Sequence, residues 1–220
     1  MGNSPEEYLY GTEYTREDIE AALNAEDPFN LVPTRDEVGH GTFLAGVAAG
    51  NEVPSQTFSG VVPNSEIIVV KCKEAKNLYR DFYHIPNDII CYQENDILLG
   101  IQYLLTKAGE LNRPIVICLG FGTNTGSHSG TSKLSQFLSR VGTIPGVVFV
   151  VPAGNEGNSR HHYAGSMEVD EQTQQIEIDM DQSNDGFVFE MWAPAPGLFS
   201  IQIQSPGGAI SEPVLPVIGT

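Results

Sequence analysis

Two side chains in this 220-residue sequence have the type and setting for chemistry, His40 and Asn155. His40 lies between Gly39 and Gly41 where a helix is predicted to begin, and an imidazole with open space beside it can act as a general base. Asn155 follows Gly154 after an apolar run, where a fixed side-chain amide could stabilise developing negative charge. Taken alone, however, a histidine before a helix more often caps or packs, and an asparagine between glycines more often makes a turn.

Other reactive side chains indicate neither a metal centre nor a disulfide framework. His128, His161 and His162 lack the helical spacing that paired zinc ligands use, so surface-loop positions are predicted for them. The chain has three widely spaced cysteines without a C-x-x-C pair, Cys72, Cys91 and Cys118. Cys118 lies within an apolar run and is predicted to be an unreactive core residue.

The charge balance limits the partners and ions. The chain has 28 Asp and Glu against 11 Lys and Arg, and its net charge of −17 excludes a duplex nucleic-acid binder. The longest apolar run, residues 147–151, is far short of the roughly 20 residues that cross a bilayer.

Calcium is a candidate ion for so acidic a chain, and residues 181–186 match the start of a calcium loop, but Trp192 stands where that loop needs an acidic ligand. A hairpin turn is the preferred interpretation, and no cofactor is predicted.

The elements that would position His40 and Asn155 alternate along the chain. Strands are predicted at residues 66–71, 114–119 and 147–151, and helices at residues 14–23, 39–50, 95–108 and 132–141. Thr15 and Asp18 predict a capping box at the first helix. Apolar strands alternating with helices indicate a parallel sheet covered on both faces. We therefore expect a doubly wound α/β arrangement, with His40 at the N-terminal edge of a tightly packed, buried helix.

From about residue 166 the pattern changes to an alternation of apolar and polar residues. Residues 175–180, 187–192 and 199–203 alternate in this way, and turn-forming segments separate them. The pattern predicts antiparallel β structure, with too few strands before residue 220 to complete a sandwich. Two domains are therefore predicted, one at residues 1–165 and an incomplete one at residues 166–220.

Four segments resemble the subtilisin-like serine proteases, the subtilase family. Residues 39–46, GHGTFLAG, are similar to the H-G-T-x-x-A-G segment that carries the family's catalytic histidine, and residues 150–157, VVPAGNEG, to its oxyanion segment. Residues 60–71 resemble the G-V-A-P-x-A-x-L strand, and residues 118–122 fall where an S-L-G-G strand lines the primary specificity pocket. The four segments follow the family's order over residues 36–165, which argues against a chance agreement.

The resemblance implies a role for each candidate residue. His40 would be the general base, and Asn155 would donate its side-chain amide to the oxyanion. The backbone of Cys118, Leu119 and Gly120 would bind an extended peptide by adding it as a strand. The implied activity is that of a serine endopeptidase acting on protein or peptide substrates.

Two expected segments of the family have no match in the sequence. No D-[ST]-G segment precedes His40, and Asp36, only four residues before it, is interpreted as structural. No G-T-S-x-[AS] segment follows Asn155. The G-T-S sequence that ends at Ser132 comes too early, so Ser132 is interpreted as a helix cap. We therefore interpret the chain as an internal fragment of a longer enzyme, inactive alone.

Residues 10–20 and the antiparallel region after Asn155 resemble one subgroup, the Csp-type germination proteases of clostridia and related anaerobes. The resemblance implies a jelly-roll domain inserted between the Asn and Ser segments. The expected fold is then a partial, doubly wound α/β domain followed by a partial antiparallel, jelly-roll-like insert. The implied role is activation of a spore cortex hydrolase by limited proteolysis. No signal segment is visible at the N-terminus, and the resemblance implies a spore-associated or cytoplasmic location.

Other classes of function stay open at this point. The subgroup includes members that have lost catalytic residues, so a pseudoprotease that binds or regulates is the alternative, although the retained His40 and Asn155 favour the enzyme. A glycan- or protein-binding module rests only on the β region with Trp192, which core packing explains better. Incomplete domains would also expose strand edges and promote self-association, so we predict that the chain is not a monomer.

Overall fold

The computed structural model of the chain describes residues 4–168, 172–180 and 186–216. It divides into two compact units, residues 1–69 and residues 70–220. The first unit contains α1 (Arg16–Leu23), α2 (His40–Ala49) and two 3-10 turns (Pro28–Asn30 and Pro54–Gln56). The second contains α3 (Asn77–Phe82), α4 (Glu94–Glu110), β1 (Ile115–Cys118), α5 (Lys133–Val141) and β2 (Val147–Val150). No helix among the described residues is long and apolar enough to span a membrane.

The start of α1 confirms the predicted capping box. The Thr15 backbone N–H donates to the Asp18 carboxylate at 2.8 Å, and the Thr15 hydroxyl accepts from the Asp18 backbone N–H at 3.4 Å. The two bonds satisfy donors that the first helical turn would otherwise leave without partners. Arg16 also pairs with Glu66 at 2.8 Å, which ties α1 to a distant part of the first unit.

Helix α2 forms where it is predicted, but the prediction that it is buried is wrong. None of its residues is buried, and the Phe43 side chain is 67% exposed. Its last turn is satisfied by the chain that follows, because the backbone N–H groups of Val61 and Val62 donate to the carbonyls of Val47 and Ala48. The apolar, alanine-rich sequence therefore determines the helix, while burial requires a covering layer that the described first unit does not provide.

The second unit confirms the predicted α/β class. Strands β1 and β2 pair in parallel, with Ile115 opposite Val147 and Cys118 opposite Val150. Buried residues of α4 and of the first strand form the core beneath this sheet, and half-buried residues of α5 pack against it. The buried residues of this core are Ile97, Ile101, Ile117 and Leu119. Burial of each such side chain stabilises the fold by about 1.5–3 kcal/mol.

The opposite face of this sheet corrects two predictions. The face formed by Val116, Cys118, Val148 and Val150 is exposed, and Val116 retains 67% of its accessible surface. The described sheet is therefore covered on one face rather than two. Cys118 is likewise an exposed free thiol and not a core residue, because it alternates with the buried Ile117.

Four further strand predictions are not matched by strands. Residues 66–71, 175–180, 187–192 and 199–203 carry no strand in the structure. Between the described residues of the C-terminal region, the antiparallel pairing consists of two isolated bridges, Ile201 with Val214 and Gln204 with Ile210. Alternation selects residues suited to a strand, but a strand also requires a partner to which its backbone can hydrogen-bond. The predicted domain boundary at 165/166 stays a prediction.

A buried arginine organises the segment between residues 74 and 92. The Arg80 side chain is 5% exposed, and its guanidinium donates to the carbonyls of Pro86 at 3.2 Å and Ile89 at 2.6 Å. It also pairs with the Glu74 carboxylate at 3.0 Å. A bridge between Glu74 and Tyr92 closes the same segment. The Arg80 side chain thus joins the start of this segment, at Glu74, to its later part, at Pro86 and Ile89.

Candidate active site

His40 is the first residue of α2, as predicted. Gly39 precedes it with a φ of +83°, in the left-handed region that favours glycine, and so turns the chain into the helix. The His40 side chain is exposed at this edge. The residue that the sequence singles out as a general base therefore stands where its ring can meet another molecule.

Asp36 fastens the turn that leads into His40. One oxygen of its carboxylate accepts from the backbone N–H of Gly39 at 2.8 Å and of Val38 at 3.2 Å. The other oxygen accepts from the Thr42 hydroxyl at 2.7 Å and the Thr42 N–H at 2.9 Å. The Thr42 hydroxyl foremost, followed by these backbone donors, holds the pKa of Asp36 well below its ordinary value. This bonding supports the interpretation of Asp36 as a structural residue.

The substrate-binding candidates are the last residue of β1, Cys118, and the two residues after it, Leu119 and Gly120. The Leu119 backbone N–H donates to the Val150 carbonyl at 2.9 Å, which continues the pairing of β1 with β2. Leu119 is buried and Gly120 is half-buried, whereas Cys118 is exposed. Phe121 then packs against Tyr92 with a ring-centroid separation of 5.7 Å. The backbone of this segment is thus held firmly where a peptide strand would have to add.

Asn155 lies five residues after the end of β2. Because the parallel register places Cys118 opposite Val150, the segments after β1 and β2 leave the sheet at the same end. Gly154 has a φ of +84° and turns the chain just before Asn155, which is exposed. Among the described residues, no partner accepts a hydrogen bond from the Asn155 side chain, so its amide is available to an incoming oxygen.

Glu156 anchors the segment that carries Asn155, which the sequence analysis did not foresee. One oxygen of its carboxylate accepts from the Asn124 amide and from Nδ1 of His161, the latter at 3.0 Å. The Asn124 amide foremost, and then His161, lowers the pKa of Glu156. The position of Glu156 directly after the candidate asparagine is a signal in the sequence, but its amide donor, Asn124, lies 32 positions earlier, too far along the chain to be read from a pattern.

The remaining candidates take the places expected of structural residues. Ser132 caps α5, because its hydroxyl accepts from the Ser135 backbone N–H at 3.1 Å, and this confirms its interpretation as a cap. His128 stacks on His162 with ring centroids 5.3 Å apart. The described residues contain no group of three side chains arranged to ligate a metal ion. Five residues of the predicted calcium-like turn, 181–185, lie outside the described residues.

His40 belongs to the first unit, and the other four candidates belong to the second. Those four are Cys118, Leu119, Gly120 and Asn155. Within the second unit the paired strand ends bring the segment at Leu119 and the segment leading to Asn155 to one end of the sheet. An exposed imidazole and a side-chain amide without an acceptor among the described residues are the kinds of group that acyl-transfer chemistry uses.

Comparison with known proteins agrees with this class of site. Residues 10–180 match the subtilase family, and the chain therefore belongs to that family. Its structure is also similar to that of the CspB protease of Clostridium perfringens, with a TM-score of 0.75 and 30% sequence identity. This similarity covers 93% of the present chain and 41% of the CspB chain, so the present chain spans less than half the length of that relative. The predicted partial subtilisin-like fold and Csp-type resemblance are confirmed.

Proposed function

We propose that this chain is the part of a serine endopeptidase that supplies the general base, His40, and the oxyanion donor, Asn155. The observation that carries the proposal is the exposed Asn155 amide on the turn after β2, which has no acceptor among the described residues. A donor that has no acceptor of its own can meet negative charge as it develops, without first breaking another hydrogen bond. Membership of the subtilase family supports the same chemistry.

In the proposed reaction, His40 takes the proton from a serine hydroxyl as that oxygen attacks the scissile carbonyl. The carbonyl oxygen gains negative charge, and the Asn155 amide donates a hydrogen bond to it. His40 then gives the proton to the leaving amine as the peptide bond breaks. The serine, and an aspartate to orient His40, must come from outside these 220 residues, because no segment here matches either.

Substrate binding is assigned to the backbone at Cys118, Leu119 and Gly120. The ends of β1 and β2 leave the sheet together, so a peptide lying along this segment would place its carbonyl near the Asn155 turn. Main-chain hydrogen bonds of this kind hold an extended substrate without demanding a particular side chain. The substrate class is therefore an extended segment of a protein or peptide.

The biological role that we propose is limited proteolysis, namely activation of a spore cortex hydrolase. The similarity to a clostridial Csp protease supports this role. The 220-residue chain alone should not turn over peptide bonds, since it would hold only two of the required groups. A pseudoprotease with a binding or regulatory role is the outcome if the complete protein proves inactive.

The test uses the longest reading-frame product that contains residues 1–220. Cleavage of a purified spore cortex pro-hydrolase and labelling by a fluorophosphonate serine probe are measured for the wild type, His40→Ala, Asn155→Ala and the control Asn158→Ala. Asn158 is also exposed and has no side-chain hydrogen bond to the described residues. We expect Asn155→Ala to lower kcat by about 100- to 1,000-fold and the control to match the wild type. A wild type that neither labels nor cleaves would overturn the enzyme in favour of the pseudoprotease.

A further inference from the structure

The segment that carries Asn155 has little backbone support of its own. Residues 152–160 lie outside the helices and strands. Within these described residues, the backbone makes a single hydrogen bond to itself, from the Ser159 N–H to the Glu156 carbonyl at 2.9 Å. Gly154 has a φ of +84°, which favours glycine, and a glycine backbone is more flexible than that of other residues because it has no Cβ. Side chains must therefore supply the order that an oxyanion donor requires.

Two side chains converge on a single oxygen of Glu156. The Asn124 amide donates to it, and His161 Nδ1 lies 3.0 Å from it. The Asn124 amide nitrogen also lies 3.4 Å from His161 Nδ1. Both nitrogens donate to Glu156, so we do not count this contact as a hydrogen bond between them. Glu156 is adjacent to Asn155, and two bonds to its carboxylate restrict the backbone that bears the Asn155 amide.

Asn124 is itself held from the other side. It lies in the loop between β1 and α5, where its backbone carbonyl is 3.0 Å from Nε2 of His128. His128 stacks on His162, and the Gly126 N–H donates to the Glu190 carboxylate at 2.7 Å. The loop after β1 and the segment after β2 are thereby fastened at more than one point. A hydrogen bond from a braced residue orients its acceptor better than one from a freely moving side chain.

We infer that Asn124 and His161 are positioning residues, which orient the oxyanion donor Asn155 through the carboxylate of Glu156. The inference rests on the proposed function, because it takes Asn155 as the donor. A misplacement of about 1 Å at a reacting group can reduce a rate 100-fold, so the loss of either contact matters even though neither residue touches the substrate. The effect falls on the chemical step and not on substrate binding, since the backbone at Leu119 is held by its own hydrogen bond to the Val150 carbonyl and not by Asn124 or His161.

The first test measures order in the 220-residue chain and needs no activity. Heteronuclear NOE values are recorded for the backbone and side-chain amides of Asn155 in the wild type, Asn124→Ala, His161→Ala and the control Asn158→Ala. Asn124→Ala and His161→Ala should lower both values at Asn155, and the control should leave them at the wild-type level. Unchanged values at Asn155 in Asn124→Ala would overturn the inference.

The second test is kinetic and uses the longest product that contains the chain. Asn124→Ala should lower kcat by about 10- to 100-fold and leave KM within about twofold. Glu156→Gln retains an acceptor oxygen and should lose less than Glu156→Ala. Adding Asn124→Ala to Glu156→Ala should have no further effect, and an additive loss would contradict the inference. If Asn155→Ala matches the wild type, the proposed function fails instead, and the NOE values still decide whether Asn124 and His161 order the segment.

Discussion

Asp36 and Thr42 clasp the turn that carries His40. One Asp36 carboxylate oxygen accepts from both the hydroxyl and the backbone N–H of Thr42, at 2.7 Å and 2.9 Å, while the other oxygen accepts from the Gly39 N–H. The turn before α2 and the first turn of the helix are thus held by a single side chain. Because the clasp spans the sequence position of His40, its strength governs how rigidly that imidazole is presented.

The first prediction concerns this clasp and pH. The pKa of Asp36 lies below its ordinary value of 3.8, so the ionised carboxylate stabilises the folded chain above that pH. This stabilisation is lost as the pH falls from about 4 through the lower pKa of the folded state. In urea unfolding, Asp36→Asn should be less stable than the wild type at pH 7, and the difference should shrink below pH 4.

Glu37→Gln is the matched control, because the described residues offer the Glu37 carboxylate no hydrogen bond. It removes the same charge from the same loop and should leave the acid dependence of the wild type in place. A difference between wild type and Asp36→Asn that stays constant from pH 7 to pH 2 would contradict the role of the ionised clasp.

The second prediction concerns Arg80. Its loss leaves the Pro86 and Ile89 carbonyls without their donor, and each unsatisfied group costs about 1–3 kcal/mol. Arg80→Ala should therefore lower the free energy of unfolding by about 2–4 kcal/mol and raise hydrogen exchange in residues 74–92. Glu74→Gln should cost less than about 1 kcal/mol, because the Glu74 side chain is 62% exposed.

Arg140→Ala provides the comparison for Arg80→Ala, since Arg140 is an exposed arginine in the last turn of α5. It should change the free energy of unfolding by no more than about 0.5 kcal/mol. Equal losses in Arg80→Ala and Arg140→Ala would show that the buried guanidinium does not organise the segment.

The third prediction separates a helix cap from a nucleophile. Ser132→Ala removes the acceptor for the Ser135 N–H and should lower the free energy of unfolding by about 1 kcal/mol. Ser132→Asp keeps an acceptor at the N-cap and should restore most of that stability. In the longest product that contains the chain, both variants should retain cleavage and labelling by the serine probe. A folded Ser132→Ala protein that no longer labels would identify Ser132 as the nucleophile.

The fourth prediction concerns the exposed face of the β1–β2 sheet. Val116 and Val148 leave apolar surface open to solvent, and such surface favours association between copies. Sedimentation velocity should show the 220-residue chain as larger than a monomer, and Val116→Lys should shift it towards the monomer. Gln102→Lys adds the same charge at an exposed position of α4 and should not shift the chain towards the monomer. A wild-type chain that sediments as a monomer would refute this prediction.

Local features of this protein were determined by the sequence itself. Several features lie within a few residues of the signals that predict them. These are the Thr15 and Ser132 caps, the start of α2 at His40 and the apolar strands β1 and β2. Capping, turns and apolar periodicity act between near neighbours, so these features follow from short stretches of chain. The segments around His40 and Asn155 could be identified for the same reason, since each is a short motif.

Burial and long-range partners were decided only by the tertiary structure. Cys118 has the sequence context of a core residue but lies exposed, because a strand residue is buried only where another layer covers its face. The Glu156 carboxylate finds its amide donor in Asn124, 32 positions earlier in the chain. Such a contact depends on how β1 and β2 bring two loops to one end of the sheet, and no spacing within either loop encodes it.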